Sequence, residues 1–119
     1  MAQLINLKTF TEDKGNLTVI EVLPFIIKRV FYIYGVDSSE RGGHRHKRTN
    51  QAAICIKGGC KVYNNNGTRE DIFTLNSPSK CLLLFTRDWH KMYSFSEDAI
   101  LLVIASERFD EKDYIYRPY

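Results

Sequence analysis

Apolar and polar positions alternate along almost the whole chain, and β-branched and aromatic residues concentrate in the alternating runs. The pattern predicts strands at Leu4–Phe10, Leu17–Val22, Ile26–Tyr34, His44–Lys47, Ala52–Lys57, Lys61–Tyr63, Arg69–Leu75, Cys81–Phe85, Lys91–Phe95 and Ile100–Ala105. Lys14-Gly15-Asn16, Gly58-Gly59, Asn64-Asn65-Asn66-Gly67 and Ser77-Pro78-Ser79 read as the turns between them, and Asn66-Gly67 suits the positive φ angles of a tight hairpin. The one helical signal, Ser106–Asp113, allows a turn or two near the C-terminus. No motif recurs at the spacing of a repeat array. Many short antiparallel strands with a single polar cluster predict an all-β sandwich or barrel whose interior holds a ligand.

Within Phe25–Tyr34, the residues Phe25, Ile27, Arg29, Phe31 and Ile33 share one face, and Ile26, Lys28, Val30, Tyr32 and Tyr34 share the other. Each face mixes polar with apolar side chains. Either Arg29 or the Tyr32 hydroxyl reaches into a pocket, or Arg29 pairs with a carboxylate at a sheet edge and Tyr32 packs with its hydroxyl in water. The residues alone leave both readings open.

Size and composition narrow the class. At 119 residues the chain fits one domain, residues 1–119. Its 44% hydrophobic and 26% charged residues are the composition of a soluble globule, and no apolar run approaches the roughly 18 residues of a membrane span. The first residues, Met1 to Lys8, lack the cationic and long apolar segments of a secretory signal, which predicts a cytoplasmic protein. Cys55, Cys60 and Cys81 are odd in number and set in apolar stretches, as reduced core thiols are. The net charge of +3 is modest, and the basic run from Arg41 to Arg48 is short. It offers positive charge to a phosphate, but neither a nucleic acid nor a membrane is an expected partner.

That basic run holds the candidate chemistry, because Arg41-Gly42-Gly43-His44-Arg45-His46-Lys47 places two of the chain's three histidines two residues apart. On a strand they point to one side. With an unperturbed pKa of about 6.5, imidazoles exchange protons near neutrality. A His-x-His pair on a strand also resembles the metal-binding cupins, in which a carboxylate follows four or five residues later and a third histidine comes from a later strand. Asn50 and Gln51 stand where that carboxylate would be, and His90 is placed to be the third histidine, with Arg87 and Ser94 in place of the usual glycine and asparagine around it. A neutral amide is a poor substitute for an anionic ligand. The degraded ligand set favours metal-free acid/base chemistry over a metal site, and a third reading leaves the histidines as surface residues of a basic loop.

The same run resembles the RGxHAHK signature of the dTDP-4-keto-6-deoxyglucose 3,4-ketoisomerases, a cupin family, with Arg45 in place of the alanine. Ile27-Lys28-Arg29-Val30-Phe31-Tyr32-Ile33 resembles that family's IKRVYYI strand, and the segment from Gln51 to Cys60 its QxxxCxxGxC segment. Trp89-His90-Lys91-Met92, Phe95-Ser96-Glu97-Asp98 and Asp110-Glu111-Lys112-Asp113-Tyr114-Ile115 resemble later segments. The resemblance implies a cupin-type antiparallel β-barrel, or jelly roll, ending in a short helical turn. It also implies a dimer, in which the N-terminal strand can be exchanged between protomers.

The implied activity moves a carbonyl from C4 to C3 of a 6-deoxyhexose carried on dTDP, through an enediol and without a cofactor. A 3-keto sugar is a natural substrate for a 3-aminotransferase on the way to a 3-amino-3,6-dideoxy sugar. By the resemblance, His46 removes the C3 proton and His44 assists. The Tyr32 phenol is a candidate donor to a sugar oxygen. Arg41 and Arg29 are candidates for the pyrophosphate or sugar oxygens, Lys14 replaces a phosphate-binding arginine, and Gln51 hydrogen-bonds substrate or a histidine. Trp89, Phe31 and the tyrosines each offer a flat face to thymine, a choice the sequence leaves open, and His90 is a further substrate-binding candidate. The alternatives are a dTDP-sugar 3,5-epimerase, a class that pairs histidine with aspartate opposite a tyrosine, or a cupin that binds a sugar or metal without turnover. Nothing near His44 in the sequence supplies that aspartate.

Overall fold

A computed structural model describes all residues, Met1–Tyr119, as twelve short strands and one turn of 3-10 helix. The strands are β1 (Gln3–Asn6), β2 (Thr9–Glu12), β3 (Gly15–Thr18), β4 (Arg29–Tyr34), β5 (Arg41–His46), β6 (Gln51–Lys57), β7 (Cys60–Asn65), β8 (Glu70–Leu75), β9 (Lys80–Leu84), β10 (Trp89–Tyr93), β11 (Ile100–Ala105) and β12 (Tyr114–Ile115). Two antiparallel five-stranded sheets form, in the orders β1-β9-β6-β11-β4 and β12-β5-β10-β7-β8, while β2 and β3 pair only with each other. The all-β jelly-roll expectation holds. The sheets, however, do not close into a barrel: each keeps its own edges, and the fold is a double-sheet sandwich. No helix is long and apolar enough to cross a membrane.

Between the sheets, Ala53, Cys55, Val62, Leu75, Leu82, Leu84, Leu101 and Val103 form the main core, with Phe31, Ile33, Phe73 and Phe95 packed against it. A second layer lies on the outer side of the first sheet, where Ala52, Ile54, Cys81, Leu83 and Ile104 are covered by Ile5, Leu7, Ile20, Leu23 and Phe25. β6 is therefore buried on both faces from Gln51 to Cys55, which explains its nearly continuous apolar sequence. Cys55, Cys60 and Cys81 are free and buried, as expected for core thiols.

Boundaries shift where the backbone finds partners outside a ladder. The expected strand Leu4–Phe10 breaks at Leu7, whose N–H donates to the Ser79 carbonyl at 2.7 Å, and β2 departs as half of an isolated hairpin. Ile26–Tyr34 shortens to begin at Arg29. The helical signal over Ser106–Asp113 yields only Glu111–Asp113, capped by the Asp110 carboxylate, and the chain then forms the unforeseen strand β12 against β5.

The β6–β7 connection depends on Gly58 at φ +66°. A methyl group there would overlap Ser96 Oγ and come within 2.6 Å of Asp98 Oδ1, while Ser96 Oγ is the acceptor for the Gly59 N–H at 2.9 Å. Gly58→Ala therefore combines a strained left-handed backbone with a steric clash. Urea unfolding should show a loss of about 2 kcal/mol or more; unchanged stability would contradict this account of the turn.

Candidate active site

The site is built on the inner face of the second sheet, where β5 runs between β10 and β12. In register, His44 faces His90 across one ladder and His46 faces Tyr114 across the other. The i, i+2 spacing thus brings three imidazoles and a phenol onto one face. A bulge makes this possible, because the β5–β10 register shifts at Gly43, and Gly42 and Gly43 adopt φ +86° and +81°. The chain crowds β10 at Gly42, where a Cβ would sit 3.0 Å from the His90 carbonyl oxygen.

The rings lie in mutual contact. His44 is 4.8 Å from His46, 5.0 Å from His90 and 4.4 Å from Tyr114, centroid to centroid. His46 lies 4.6 Å from Tyr114. They border a cleft of about 220 Å³ lined by His44, His90, Gln51, Arg41, Tyr114 and the apolar Phe31, Ile33, Met92 and Val103. His46 stands one layer deeper, behind His44 and Tyr114, and is only 2% exposed.

Each buried imidazole is oriented by a partner behind it. The carboxylate of Asp113 lies 3.0 Å from His46 Nδ1; since an ionised carboxylate only accepts, Nδ1 carries the proton. His46 Nε2 is then a bare acceptor, buried and without any hydrogen-bond partner. His90 Nδ1 donates to the Asp88 carbonyl at 2.9 Å. Asp113 itself is held by the Thr49 hydroxyl and by the Arg48 backbone N–H at 2.7 Å, with the Arg48 guanidinium 3.8 Å away. Burial pushes the Asp113 carboxyl up, but the hydrogen bonds from Thr49, Arg48 and His46 outweigh it and leave it below the usual range.

Burial also keeps the imidazoles neutral. His44, His46 and His90 are each lowered to about 4, chiefly by desolvation, with a second histidine's charge adding to it; at His46 the Asp113 carboxylate opposes the shift. All three are therefore acceptors of protons at neutral pH. One ring nitrogen from each lies within 4.8 Å of the others, so the cluster has three potential metal donors. Tetrahedral zinc with Zn–N bonds of about 2.05 Å needs nitrogens roughly 3.4 Å apart. The three nitrogens lie within 4.8 Å of one another, so small ring rotations separate this arrangement from such ligation, and Asp113 is engaged behind His46. The three rings can exchange protons with a ligand in the cleft, and the same nitrogens are the candidate donors to an ion.

Of the residues singled out in the sequence, His44, His90, Arg41 and Gln51 line the cleft, and His46 backs it. Others lie elsewhere. Tyr32 alternates outward on β4 and is 63% exposed, so its hydroxyl does not reach this cleft. Trp89 occupies the face of β10 opposite His90, with its indole N–H donating to the Tyr116 carbonyl at 3.0 Å. Lys14 sits exposed in the β2–β3 turn, away from the cleft. Arg29 turns inward but lies over the Phe31 ring, 5.0 Å from its centroid, and acts on His46 by its charge. Sequence reasoning missed Asp113, Thr49 and Tyr114. Asp113 and Tyr114 lie in a terminal segment whose family likeness was visible, but the aspartate is 67 positions from the histidine it joins.

A double-sheet β fold with a histidine-lined cleft between its sheets is a cupin-like architecture. The family described as "FdtA: WxcM-like, C-terminal" matches residues 1–119, and the chain belongs to that family. It is 39% identical over 117 residues, 95% of this chain and 84% of the relative, to the TDP-4-oxo-6-deoxy-alpha-D-glucose-3,4-oxoisomerase of Aneurinibacillus thermoaerophilus. Its fold is similar, at a TM-score of 0.93 and 41% identity, to a variant of the 3,4-ketoisomerase QdtA from Thermoanaerobacterium thermosaccharolyticum in complex with TDP-4-keto-6-deoxyglucose; the match covers 98% of this chain and 87% of that one. A similar match, TM-score 0.93 and 35% identity over 98% of this chain and 92% of that one, is to the TDP-quinovose 3,4-ketoisomerase WlaRB from Campylobacter jejuni.

The lowered histidines fix the sign of an acid effect on stability. Between the unfolded value of about 6.5 and the folded value of about 4, the unfolded chain binds protons that the folded chain refuses. The stabilisation is complete above that window and is lost as pH falls through it, at up to about 1.4 kcal/mol per pH unit for each imidazole. Urea midpoints should therefore fall from pH 7.5 to pH 4.5. A midpoint that is constant or rises on acidification would show that these rings are not neutral in the fold.

Proposed function

We propose that this chain is a cytoplasmic dTDP-4-keto-6-deoxyglucose 3,4-ketoisomerase that uses histidine acid/base chemistry and needs no cofactor. The observation that carries this reading is the neutral imidazole cluster at the cleft, with one buried nitrogen left free, in a chain 39% and 41% identical over nearly its whole length to proteins named for that reaction. The reaction is redox-neutral within one sugar. A base takes the C3 proton, the electron pair forms the C3–C4 double bond of an enediolate with its charge on the C4 oxygen, the C3 hydroxyl proton passes to that oxygen, and a proton returns to C4 as the oxygen at C3 becomes the carbonyl.

In this scheme His46 is the base. Its Nε2 lone pair is shielded from water, so no solvent proton competes for it, and Nδ1–H to Asp113 leaves that lone pair free. His44, half-buried at the cleft and in ring contact with His46, is the partner in proton delivery between the sugar and His46. Tyr114 takes the donor role first expected of Tyr32, because its ring packs on both histidines. Arg41, exposed at the cleft, offers a two-pronged contact to the pyrophosphate, and Gln51 and His90 contact the sugar. Tyr116 is exposed and stacked on Tyr114 at 6.0 Å, which gives thymine the flat face that Trp89 cannot. The 3-keto product is suited to a reaction that aminates C3, as in the making of a 3-amino-3,6-dideoxy sugar.

The working form is a homodimer with exchanged N-terminal strands. The β2–β3 hairpin pairs with neither large sheet and exposes Phe10 and Leu17, and the edge strand β4 exposes Val30, Tyr32 and Tyr34. Apolar surface of this kind, next to an unpaired sheet edge, favours a second copy. Light scattering should give twice the 13.9 kDa chain mass, and a monomer at micromolar concentration would contradict the dimer.

Incubation with dTDP-4-keto-6-deoxyglucose in deuterated water, followed by NMR, tests the activity. The expected product is a 3-keto sugar carrying deuterium at C4. His46→Asn should retain nucleotide-sugar binding and lose at least about a hundredfold in turnover. Exchange at C3 and C5 with the carbonyl still at C4 would instead establish the 3,5-epimerase reading, which the His46–Asp113 pair beside Tyr114 also fits. Binding without exchange would establish a non-catalytic module.

A further inference from the structure

The structure assigns Asp113 a role through another residue: we propose that it is a positioning residue that, with Thr49, holds His46 in the Nδ1-protonated form and so keeps Nε2 available as the base. The assignment rests on the isomerase reading for its consequence in turnover, but its structural half stands alone.

Three observations converge on it. Asp113 is 4% exposed, and a buried carboxylate is costly unless every oxygen is engaged. Here both oxygens are: Oδ1 accepts the Arg48 backbone N–H, and Oδ2 accepts both the Thr49 hydroxyl and His46 Nδ1–H. The donors around it leave it no freedom to turn, so the direction of the His46 bond is fixed by backbone and by a buried hydroxyl. Backbone bonds secure the same corner, with Lys47 N–H donating to the Asp113 carbonyl at 2.8 Å and Asp113 N–H to the Asp110 carbonyl at 3.0 Å. Finally, the other ring nitrogen of His46 has no partner at all. A ring free to choose would turn the proton-bearing nitrogen toward whatever acceptor it could find; the Asp113 carboxylate removes that choice.

An unpartnered buried nitrogen is costly in a protein built only for stability, by about 1–3 kcal/mol. Arg29 Nε, Arg45 Nε and Asn64 Oδ1 share that condition, and what sets His46 apart is that a carboxylate fixes its other nitrogen, so the unpartnered one keeps a lone pair. The neighbouring imidazoles do not share this arrangement, since His90 Nδ1 is tied to a neutral carbonyl, and His44 feels Asp113 through its charge and makes no hydrogen bond to it. Asp113 thus distinguishes one histidine of three by a direct carboxylate hydrogen bond, which favours the imidazolium that proton abstraction creates.

The test is Asp113→Asn, read by ¹⁵N NMR of histidine-labelled protein together with steady-state kinetics. Only three histidines need assignment. In the wild type, His46 should show a protonated Nδ1 and a bare Nε2. In Asp113→Asn, whose amide can donate to Nδ1, the proton should move to Nε2, kcat should fall at least about a hundredfold and KM should stay within about threefold. Asp113→Glu should restore the Nδ1-protonated ring and at least about tenfold of the lost kcat. Where Asp113→Asn fails to fold, Thr49→Val serves instead, and should move part of the His46 population to the Nε2-protonated form. An unchanged tautomer in the variant that folds, a loss confined to KM, or kcat within about threefold of wild type would overturn the proposal. The ¹⁵N spectrum needs no substrate, so an inactive wild type would sink the isomerase reading while leaving the tautomer claim to be judged on the spectrum.

Discussion

The hydrogen-bonded carboxylate of Asp113 is the constraint on which the rest of the site depends. It ties the end of β5 and the connection that follows it, through His46, Arg48 and Thr49, to the start of the terminal strand β12 and reinforces the backbone pairing there. Because β12 pairs with β5 at His46 and Arg45, the same anchor delivers Tyr114 to the imidazoles. Removing the carboxylate would leave a buried imidazole N–H, a buried hydroxyl and a backbone N–H all short of an acceptor.

The cost of gathering polar groups in a sandwich interior is met by order rather than by solvent. Around the cleft, apolar Phe31, Ile33, Met92 and Val103 continue the core directly into the wall beside His44 and His90. That continuity lowers the local dielectric and holds the histidines neutral, down to about 4. The fold thus sets the protonation state, and the outer partners set where the remaining proton sits. A neutral ring with a free nitrogen is the form a general base must have before it acts.

The all-β class, most strands and the importance of the His44–His46 pair were legible in the sequence, since alternation and turn residues are local signals. Local signals also explain the failures. Tyr32 and Trp89 carry attractive chemistry, but period-two alternation alone does not say which face of a strand is inside: Tyr32 shares its face with exposed Val30 and Tyr34, and Trp89 lies opposite buried His90 and Met92. Residues 106–113 have a helical composition, yet only one turn forms, because Asp113 is captured by a distant turn and the next two residues complete a sheet. Asp113 lies in a segment whose family likeness is visible in the sequence, but the likeness assigns it no role. Its partner is a contact of tertiary structure, and no spacing rule reaches that far along a chain.

The chemistry proposed for this cleft requires a particular placement of one proton. Neutron diffraction from perdeuterated crystals at neutral pH locates it directly. The account predicts a deuteron on His46 Nδ1, directed at Asp113 Oδ2, and none on Nε2. A deuteron on His46 Nε2, with Nδ1 bare or Asp113 protonated, would contradict it.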